Sequence, residues 1–268
     1  MKTPIRQPFS HTDIVFLSHI LKISKSSLYL NSIVLDVNQK KQFQKYRRLF
    51  TKSYPIDYII GKIELSGLTF NLNKNVLIPR PETEILIKYI SDNAEYTDLL
   101  LDVGTGSGLI GITLSNKFYQ VILADISQKA LNIAKKNILE NKIKNILTTR
   151  SNLLQSNSLQ KTILNKVNWT LVANLPYIPS REIKYAKKYN VFYEPSLALY
   201  SGKDGLDCFR ELINQIKVYK NKPKQCFFEL DPRNIHQAKQ IIETIGYNCK
   251  IIKDENDFDR FLIGEIIE

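Results

Sequence analysis

From Thr97 to the C-terminus, strand-like and helix-like patterns take turns, and this alternation restricts the possible folds more than any other feature of the chain. "DLLLDVGTG" is an apolar run ending in glycines, "SGLIGITLSNK" has helical spacing, "QVILAD" is a second strand and "SQKALNIAKKNILEN" a helix. The strand "VNWTLVANLP", the helix "DGLDCFRELINQI", the strand "KQCFFELD" and the helix "RNIHQAKQIIETI" continue the series. "NCKIIKD" and "RFLIGEII" follow as two β runs, expected to form an antiparallel edge. Apolar strands separated by amphipathic helices imply an α/β fold, a doubly wound and mostly parallel sheet covered on both faces. Ligands of such sheets sit beyond the carboxyl ends of the strands. The unusual residues of this chain fall there.

Upstream the pattern changes. Ile14, Leu17, Ile20 and Leu21 recur at helical spacing behind a cap-like Thr12-Asp13, and a second short apolar stretch follows Ser24 to Ser27. Phe43, Tyr46, Leu49 and Phe50 make one face of a third, basic helix, which "SYPIDY" ends at Pro55. Residues 1–60 are therefore expected as a small N-terminal helical domain. Lys62–Leu65 and Thr69–Leu72 alternate about Ser66-Gly67, the composition of a β-hairpin turn, and residues 61–78 read as a linking hairpin. Pro81 at a first helical position, with Glu82 and Glu84 in the first turn, starts a helix near Arg80. Residues 79–268 form the remaining domain.

Composition narrows the class. With 43% hydrophobic and 24% charged residues among 268, the chain has the balance of a globular protein. No apolar run approaches the ~18 residues of a membrane span. "MKTPIRQPFSHTDIVFLSHILK" lacks the apolar core and cleavage site of a signal peptide, so a cytoplasmic protein is expected. The three cysteines, Cys208, Cys226 and Cys249, and the three histidines are scattered, which speaks against disulfides and against a metal site. A formal charge of +12 invites a nucleic-acid partner. The basic clusters "KKQFQKYRR" and "KNKPK" lack interleaved aromatic platforms, however, and an acidic partner suits the charge equally well.

Asp102-Val103-Gly104-Thr105-Gly106-Ser107-Gly108 leaves the first strand and enters a helix. A dinucleotide fingerprint would need glycine at position 109, where this chain has Leu109, so no pyrophosphate cradle is expected. Asp125 ends the second strand, where a carboxylate can accept both hydroxyls of a ribose. A nucleoside without phosphates fits, which is what S-adenosylmethionine offers, and Asp102 could hold its ammonium group. The loop alone is also what a tight strand–helix turn requires. Asn152 or Leu153 falls near the end of the third strand, where an adenine edge would lie; a plain loop is the equal alternative.

"VANLPYIP" carries the chemistry. Pro176 keeps Leu175 extended, so the Leu175 carbonyl and the Asn174 side-chain carbonyl can face one pocket. Two fixed acceptors match the two N–H bonds of one planar –NH₂ group, and Tyr177 can pack its ring on that plane. The amide nitrogen is a poor nucleophile, and fixing its orientation against a methyl donor lowers the barrier. No His, Cys or Ser set suggests a covalent intermediate. A β-turn built from Asn, Pro and Tyr is the competing structural reading.

With these residues in view, the chain resembles the HemK/PrmC family of release-factor glutamine methyltransferases. The resemblance runs from about Thr12 to the C-terminus, through "PIDYIIGKIELSGLTFNLNKNVLIPRPETEIL", "LDVGTGSGLIGITL", "ADISQKALNIAKKN", "VANLPYI" and "YEPSLALYSGKDGLDCFREL". The glycine loop is shared by many methyltransferases, whereas "VLIPRPETE" and "EPSLALYSGKDGL" are specific. The resemblance implies a Rossmann-like, seven-stranded class I methyltransferase fold. It implies N5-methylation, by S-adenosylmethionine, of the glutamine in the Gly-Gly-Gln motif of bacterial class 1 peptide chain release factors. It also implies a monomer acting without nucleic acid or membrane, whose helical domain helps to dock the release factor. Carried over by position, Asp102, Gly104, Thr105, Gly106, Ser107, Gly108, Asp125, Asn152, Leu153 and Asn174 bind cofactor. Asn174, Leu175, Pro176 and Tyr177 form the catalytic glutamine pocket, with the stretch Arg80 to Glu84 lining the site, Arg80 and Glu82 as substrate-binding residues. Three positions depart from the family pattern: Leu175 replaces a usual Pro, Asn152 an acid, and Thr170 a frequent Asp. Asn-Leu-Pro-Tyr also occurs in rRNA adenine dimethyltransferases, so a nucleic-acid adenine or cytosine amino methyltransferase is the alternative. A non-catalytic RNA-binding protein would need neither the loop nor Asn174.

Overall fold

The computed structural model describes residues 3–4, 9–30, 33–164, 168–188 and 191–267. Two compact units divide the chain, Met1–Lys62 and Ile63–Glu268. The first contains β1 (Thr3–Pro4), α1 (His11–Leu21), α2 (Lys25–Leu30), β2 (Val34–Leu35), α3 (Val37–Phe50) and α4 (Ile56–Ile60). The cap of α1 is Ser10, not Thr12-Asp13. Ser10 Oγ accepts the Asp13 N–H at 3.1 Å, and the Asp13 carboxylate accepts the Ser10 N–H at 3.2 Å, a reciprocal capping box. Asp36 and Gln39 close α3 the same way. Ile14, Phe16, Leu17, Leu28, Leu35, Phe43 and Tyr46 form the core of this unit, whereas Phe50 stays on its rim. The β1–β2 pair is too short to show any alternation in the sequence.

From Lys62, the last residue of the first unit, the chain enters a hairpin, β3 (Lys62–Leu65) and β4 (Leu68–Asn71), turning on Ser66 and Gly67. Both turn residues have positive φ, 50° and 75°, as a two-residue hairpin turn requires. Then follow α5 (Pro81–Asn93), β5 (Leu99–Val103), α6 (Leu109–Thr113), β6 (Gln120–Asp125), α7 (Gln128–Glu140), β7 (Ile146–Arg150), α8 (Asn157–Leu164) and β8 (Trp169–Ala173). After two short 3₁₀ turns come α9 (Asp207–Lys217), β9 (Gln225–Glu229), α10 (Ile235–Glu243), β10 (Tyr247–Lys253) and β11 (Asp259–Ile266). Arg80 stands at the N-cap of α5 with Pro81 at its first position. Helix α6 is shorter than its pattern suggested. Gly111 and the β-branched Ile110, Ile112 and Thr113 are weak helix formers, and a Cβ on Gly111 would stand 2.3 Å from Leu123 Cδ2. Close seating on the sheet, not length, is what this helix supplies. Helix α8 has little sequence signal beyond Leu159 and Ile163, which are buried one turn apart.

The strands form one seven-stranded sheet in the order β10-β11-β9-β8-β5-β6-β7. Strands β5 to β9 are mutually parallel, and β10 and β11 run antiparallel at one edge. Period-two alternation assigns the faces. Leu99, Leu101 and Val103 join one core with Leu171, Phe228 and the α9 residues Phe209 and Leu212. Leu100, Val121, Leu123, Val172 and Phe227 join the other with Leu86, Ile110 and Ile112. The chain winds outward from β5 in both directions, so β5 and β8 flank the switch point at which such sheets hold ligands.

Candidate active site

A cavity of about 360 Å³ opens beyond the carboxyl ends of β5, β6 and β8. Its wall includes Asn75, Val76 and Arg80, then Gly104 to Ser107, Asp125 to Ser127, Ser151 to Leu153, Asn174 to Pro176, and Leu197. Asp102 reaches the floor from within β5. Of the residues singled out by sequence, Gly108, Tyr177 and Glu82 stand outside this wall.

The loop after β5 is held by two carboxylates. Asp125 Oδ2 accepts the Gly106 N–H at 2.9 Å and Oδ1 accepts the Ser127 N–H at 2.8 Å. Asp102 Oδ2 accepts from Thr105 Oγ1 at 2.7 Å and from the Gly111 N–H at 3.0 Å, and its Oδ1 has no hydrogen-bond partner among the described residues. Burial pushes the Asp102 carboxyl up to about 6, against the opposing pull of these hydrogen bonds. Asp125 is also raised by burial, with its two backbone hydrogen bonds pulling the other way. Gly108 has another task. It caps α6 at φ 85°, and a Cβ there would lie 2.7 Å from Ile112 Cδ1. At the far wall the Asn152 amide donates to Gln155 Oε1 at 3.0 Å, so its oxygen is left as acceptor. Leu153 beside it is held at φ 52°, a conformation uncommon for leucine.

Asn174 lies half-buried at the end of β8, on the cavity wall. Its Nδ2 donates to Thr83 Oγ1 at 3.4 Å, and Thr83 Oγ1 donates to Glu229 Oε2 at 2.8 Å. Asn174 Oδ1 and the Leu175 carbonyl have no hydrogen-bond partner among the described residues. Tyr177 turns away: its hydroxyl donates to Glu229 Oε1 at 3.5 Å. Burial, and then the neighbouring Glu229, push that phenol well above the usual range. Glu229 is itself raised by burial, although hydrogen bonds from Thr83 and Asn174 and the charge of Arg260 oppose this. The turn is clamped from behind. The Ile178 N–H donates to the Leu199 carbonyl and the Ser201 N–H to the Ile178 carbonyl, both at 2.9 Å. Asn234 Nδ2 donates to the Tyr177 carbonyl at 3.3 Å. At Gly205 a Cβ would meet the Tyr177 carbonyl oxygen at 2.1 Å, so only glycine lets the two backbones approach.

Arg80 is fixed by buried Glu194. Its Nη2 donates to Glu194 Oε1 at 2.5 Å while Glu194 Oε2 accepts the Ile78 N–H at 3.0 Å. These bonds join "VLIPRPETE" to "YEPSLALY", two stretches far apart in the chain. Glu82 lies off the cavity, and its charge acts on Glu229. Thr83 falls in the stretch Arg80 to Glu84 expected to line the site, and it does line the cavity, but sequence reasoning gave it no role and missed Glu194, Glu229 and Asn234. Glu229 carried a usable signal, since like Asp102 and Asp125 it is a carboxylate at the carboxyl end of a buried strand.

Comparison with known proteins gives the family. Residues 81–195 match the family described as Methyltransferase small domain. A release factor glutamine methyltransferase of Clostridium acetobutylicum is 32% identical over 93% of this chain and 89% of its own. One of Buchnera aphidicola subsp. Schizaphis graminum is 34% identical over 94% of this chain and 90% of its own. Among solved structures, the hMettl16 catalytic domain in complex with a 3′UTR hairpin aligns at TM-score 0.63 and 13% identity, over 96% of this chain and 91% of that one. The E. cuniculi complex responsible for methylation of the eRF1 translation termination factor aligns at TM-score 0.51 and 18% identity, over 72% and 99%. These two show the fold, a class I methyltransferase sheet. With full-length relatives at this identity, the chain belongs to the release factor glutamine methyltransferase family.

Proposed function

We propose that this protein methylates the side-chain amide nitrogen, N5, of the glutamine in the Gly-Gly-Gln motif of bacterial class 1 peptide chain release factors, using S-adenosylmethionine. One observation carries the reading: Asn174 stands beside the glycine loop with its NH₂ committed to Thr83 and its oxygen uncommitted. The family name of the relatives supports the substrate. The cytoplasm, where release factors act, is the proposed compartment. Among the described residues no helix is long and apolar enough to cross a membrane.

The residues suit the cofactor. Asp125 keeps unused lone pairs on both oxygens for a ribose, and Asp102 Oδ1 is an unengaged carboxylate oxygen for an ammonium group. At Gly106 a Cβ would find no atom nearer than 4.0 Å, so the loop leaves open space on the cavity side. Asn152 offers an amide oxygen and Leu153 and Ile126 an apolar wall for adenine. S-adenosylmethionine supplies an electrophilic sulfonium methyl whose leaving group departs neutral. The protein's part is to present the nucleophile. Asn174 Oδ1 and the Leu175 carbonyl accept the two N–H bonds of the glutamine amide, fix its plane and turn its nitrogen toward the glycine loop. Such positioning can account for roughly 7–11 kcal/mol of a barrier. Both acceptors polarise the N–H bonds, and the surplus proton leaves late, to them or to water. Pro176 shapes the pocket, and Tyr177 supports it from behind through Glu229. Arg80, held by Glu194, lines the entrance. In this reading residues 79–268 carry the chemistry and the N-terminal helical domain docks the release factor.

Leu175 and the +12 charge favour a second reading, an adenine or cytosine amino methyltransferase acting on nucleic acid. Incubation with methyl-labelled S-adenosylmethionine separates the two. Label should enter a release factor, fail to enter its Gln-substituted variant, and leave rRNA unlabelled. Label in rRNA alone would overturn the proposal.

A further inference from the structure

Asn174 can serve as an acceptor for the glutamine amide only if its own amide is turned the right way. The two ends of a carboxamide have nearly the same shape, so packing barely distinguishes them, and the polarity of the partners decides. Here the partner is a hydroxyl, which can donate or accept. Glu229 is 1% exposed, and Thr83, at 3%, borders the cavity with little of its surface open to water. The hydrogen bonds of Thr83 and Asn174 and the charge of Arg260 oppose the upward push of burial on Glu229, and as a carboxylate it only accepts. Glu229 Oε2 therefore takes the one Thr83 proton at 2.8 Å, Thr83 Oγ1 is left as an acceptor, and the group facing it at 3.4 Å must be the Asn174 NH₂. Tyr177 donates to the other Glu229 oxygen, so the carboxylate is held at both ends.

We infer that Thr83 and Glu229 are positioning residues for methyl transfer, a polarised relay that holds the oxygen of Asn174 toward the substrate amide and its nitrogen away. The inference rests on the proposed glutamine-methylating function and deepens it. Neither side chain touches the reacting atoms in this account. Thr83 is the switch point, because its hydroxyl passes the acceptor character of a buried carboxylate to the asparagine. Removing the hydroxyl while keeping the shape leaves Asn174 only the direct, weaker pull of Glu229, so its preferred orientation is eroded. Replacing Glu229 by glutamine gives Thr83 a partner that can itself donate, which permits the inverted chain.

The test uses the full-length enzyme with S-adenosylmethionine and a release factor, comparing wild type, Thr83→Val, Thr83→Ser and Glu229→Gln. Thr83→Val should lose about a hundredfold in kcat, the scale of a small misplacement at a reacting centre. Its dissociation constant for S-adenosylmethionine should stay near wild type, while its melting temperature should fall by a few degrees because buried Glu229 loses a donor. Thr83→Ser should recover most of the rate, and Glu229→Gln should fall between. A Thr83→Val enzyme with wild-type kcat, or a Thr83→Ser enzyme as slow as Thr83→Val, would overturn the inference. So would a loss that tracks cofactor affinity. A second readout needs no activity. The ¹⁵N side-chain amide resonances of Asn174, assigned by their loss in Asn174→Ala, should shift in Thr83→Val and not in Thr83→Ser; unchanged resonances in Thr83→Val contradict the relay. A wild type that methylates no release factor defeats the functional proposal, and the resonances then judge the relay alone.

Discussion

Asp102 is buried under the glycine loop with its carboxyl pushed up to about 6, and the proposed ammonium contact needs it ionised. The sign of the pH dependence follows. Above pH 6 the carboxylate is available, so the affinity for S-adenosylmethionine should hold from pH 8 to about 6.5 and weaken as pH falls through 6. Titration calorimetry across that range checks it, and Asp102→Asn should bind more weakly with a flatter profile. Stability runs the other way. The folded chain takes up this proton near pH 6, whereas the unfolded chain does so only near pH 4. Asp102's own contribution to stability therefore rises as pH falls between those values. At Asn174 the expectation is simpler: Asn174→Ala should lose at least about a hundredfold in kcat, as when one preorganised polar contact to a reacting group is removed. Its melting temperature should stay close to wild type, because the side chain is only half-buried. Asp102, Asp125 and Asn174 were legible because each pairs a telling residue type with a strand end. Glu229 was not, and of Thr83 only its place in the stretch Arg80 to Glu84 was, not its role. Their bonds close over 91 and 146 residues of sequence, and a hydroxyl in a first helical turn looks like any other.

Helix α7 shows how an element can be placed by one buried polar residue. Asn137 is fully buried; its Oδ1 accepts from both the N–H and Nδ2 of Asn71, and its Nδ2 donates to the carbonyls of Asn71 and Ser107. One side chain thus ties the β3–β4 hairpin and the end of the glycine loop to the same helix. Asn141, one turn on, repeats the bond to Thr69. Asn137→Ala should cost about 2–3 kcal/mol, the penalty of leaving buried backbone and amide groups unpaired. Urea unfolding should show a lower midpoint with an unchanged slope. Strands, the hairpin and the long helices were readable because their apolar periods are 2 and 3.6 over enough residues. The shortness of α6 and the β1–β2 pair were not, since five-residue and two-residue elements carry no period. In "SQKALNIAKKNILEN", Asn137 reads as a polar-face residue until the hairpin is seen to cover it.

Taken together, the doubly wound sheet was legible from alternation alone, and the cavity lies where that topology puts ligands. The charge of +12 said less, because it is spread through a Lys-rich chain and no composition distinguishes a protein partner from a nucleic acid. The substrate was legible only through whole motifs, "VLIPRPETE" and "EPSLALYSGKDGL", whose physical link is the hold of Glu194 on Arg80 and Ile78. The central claim is that this site grips a glutamine side-chain amide and methylates its nitrogen. Mass analysis of the Gly-Gly-Gln tip peptide, after a release factor is incubated with the enzyme and S-adenosylmethionine, measures this directly. The account predicts one added methyl group, localised by fragmentation to the glutamine side chain and absent with Asn174→Ala. An unmodified tip, a methyl group on another residue, or full methylation by the Asn174→Ala enzyme would contradict it.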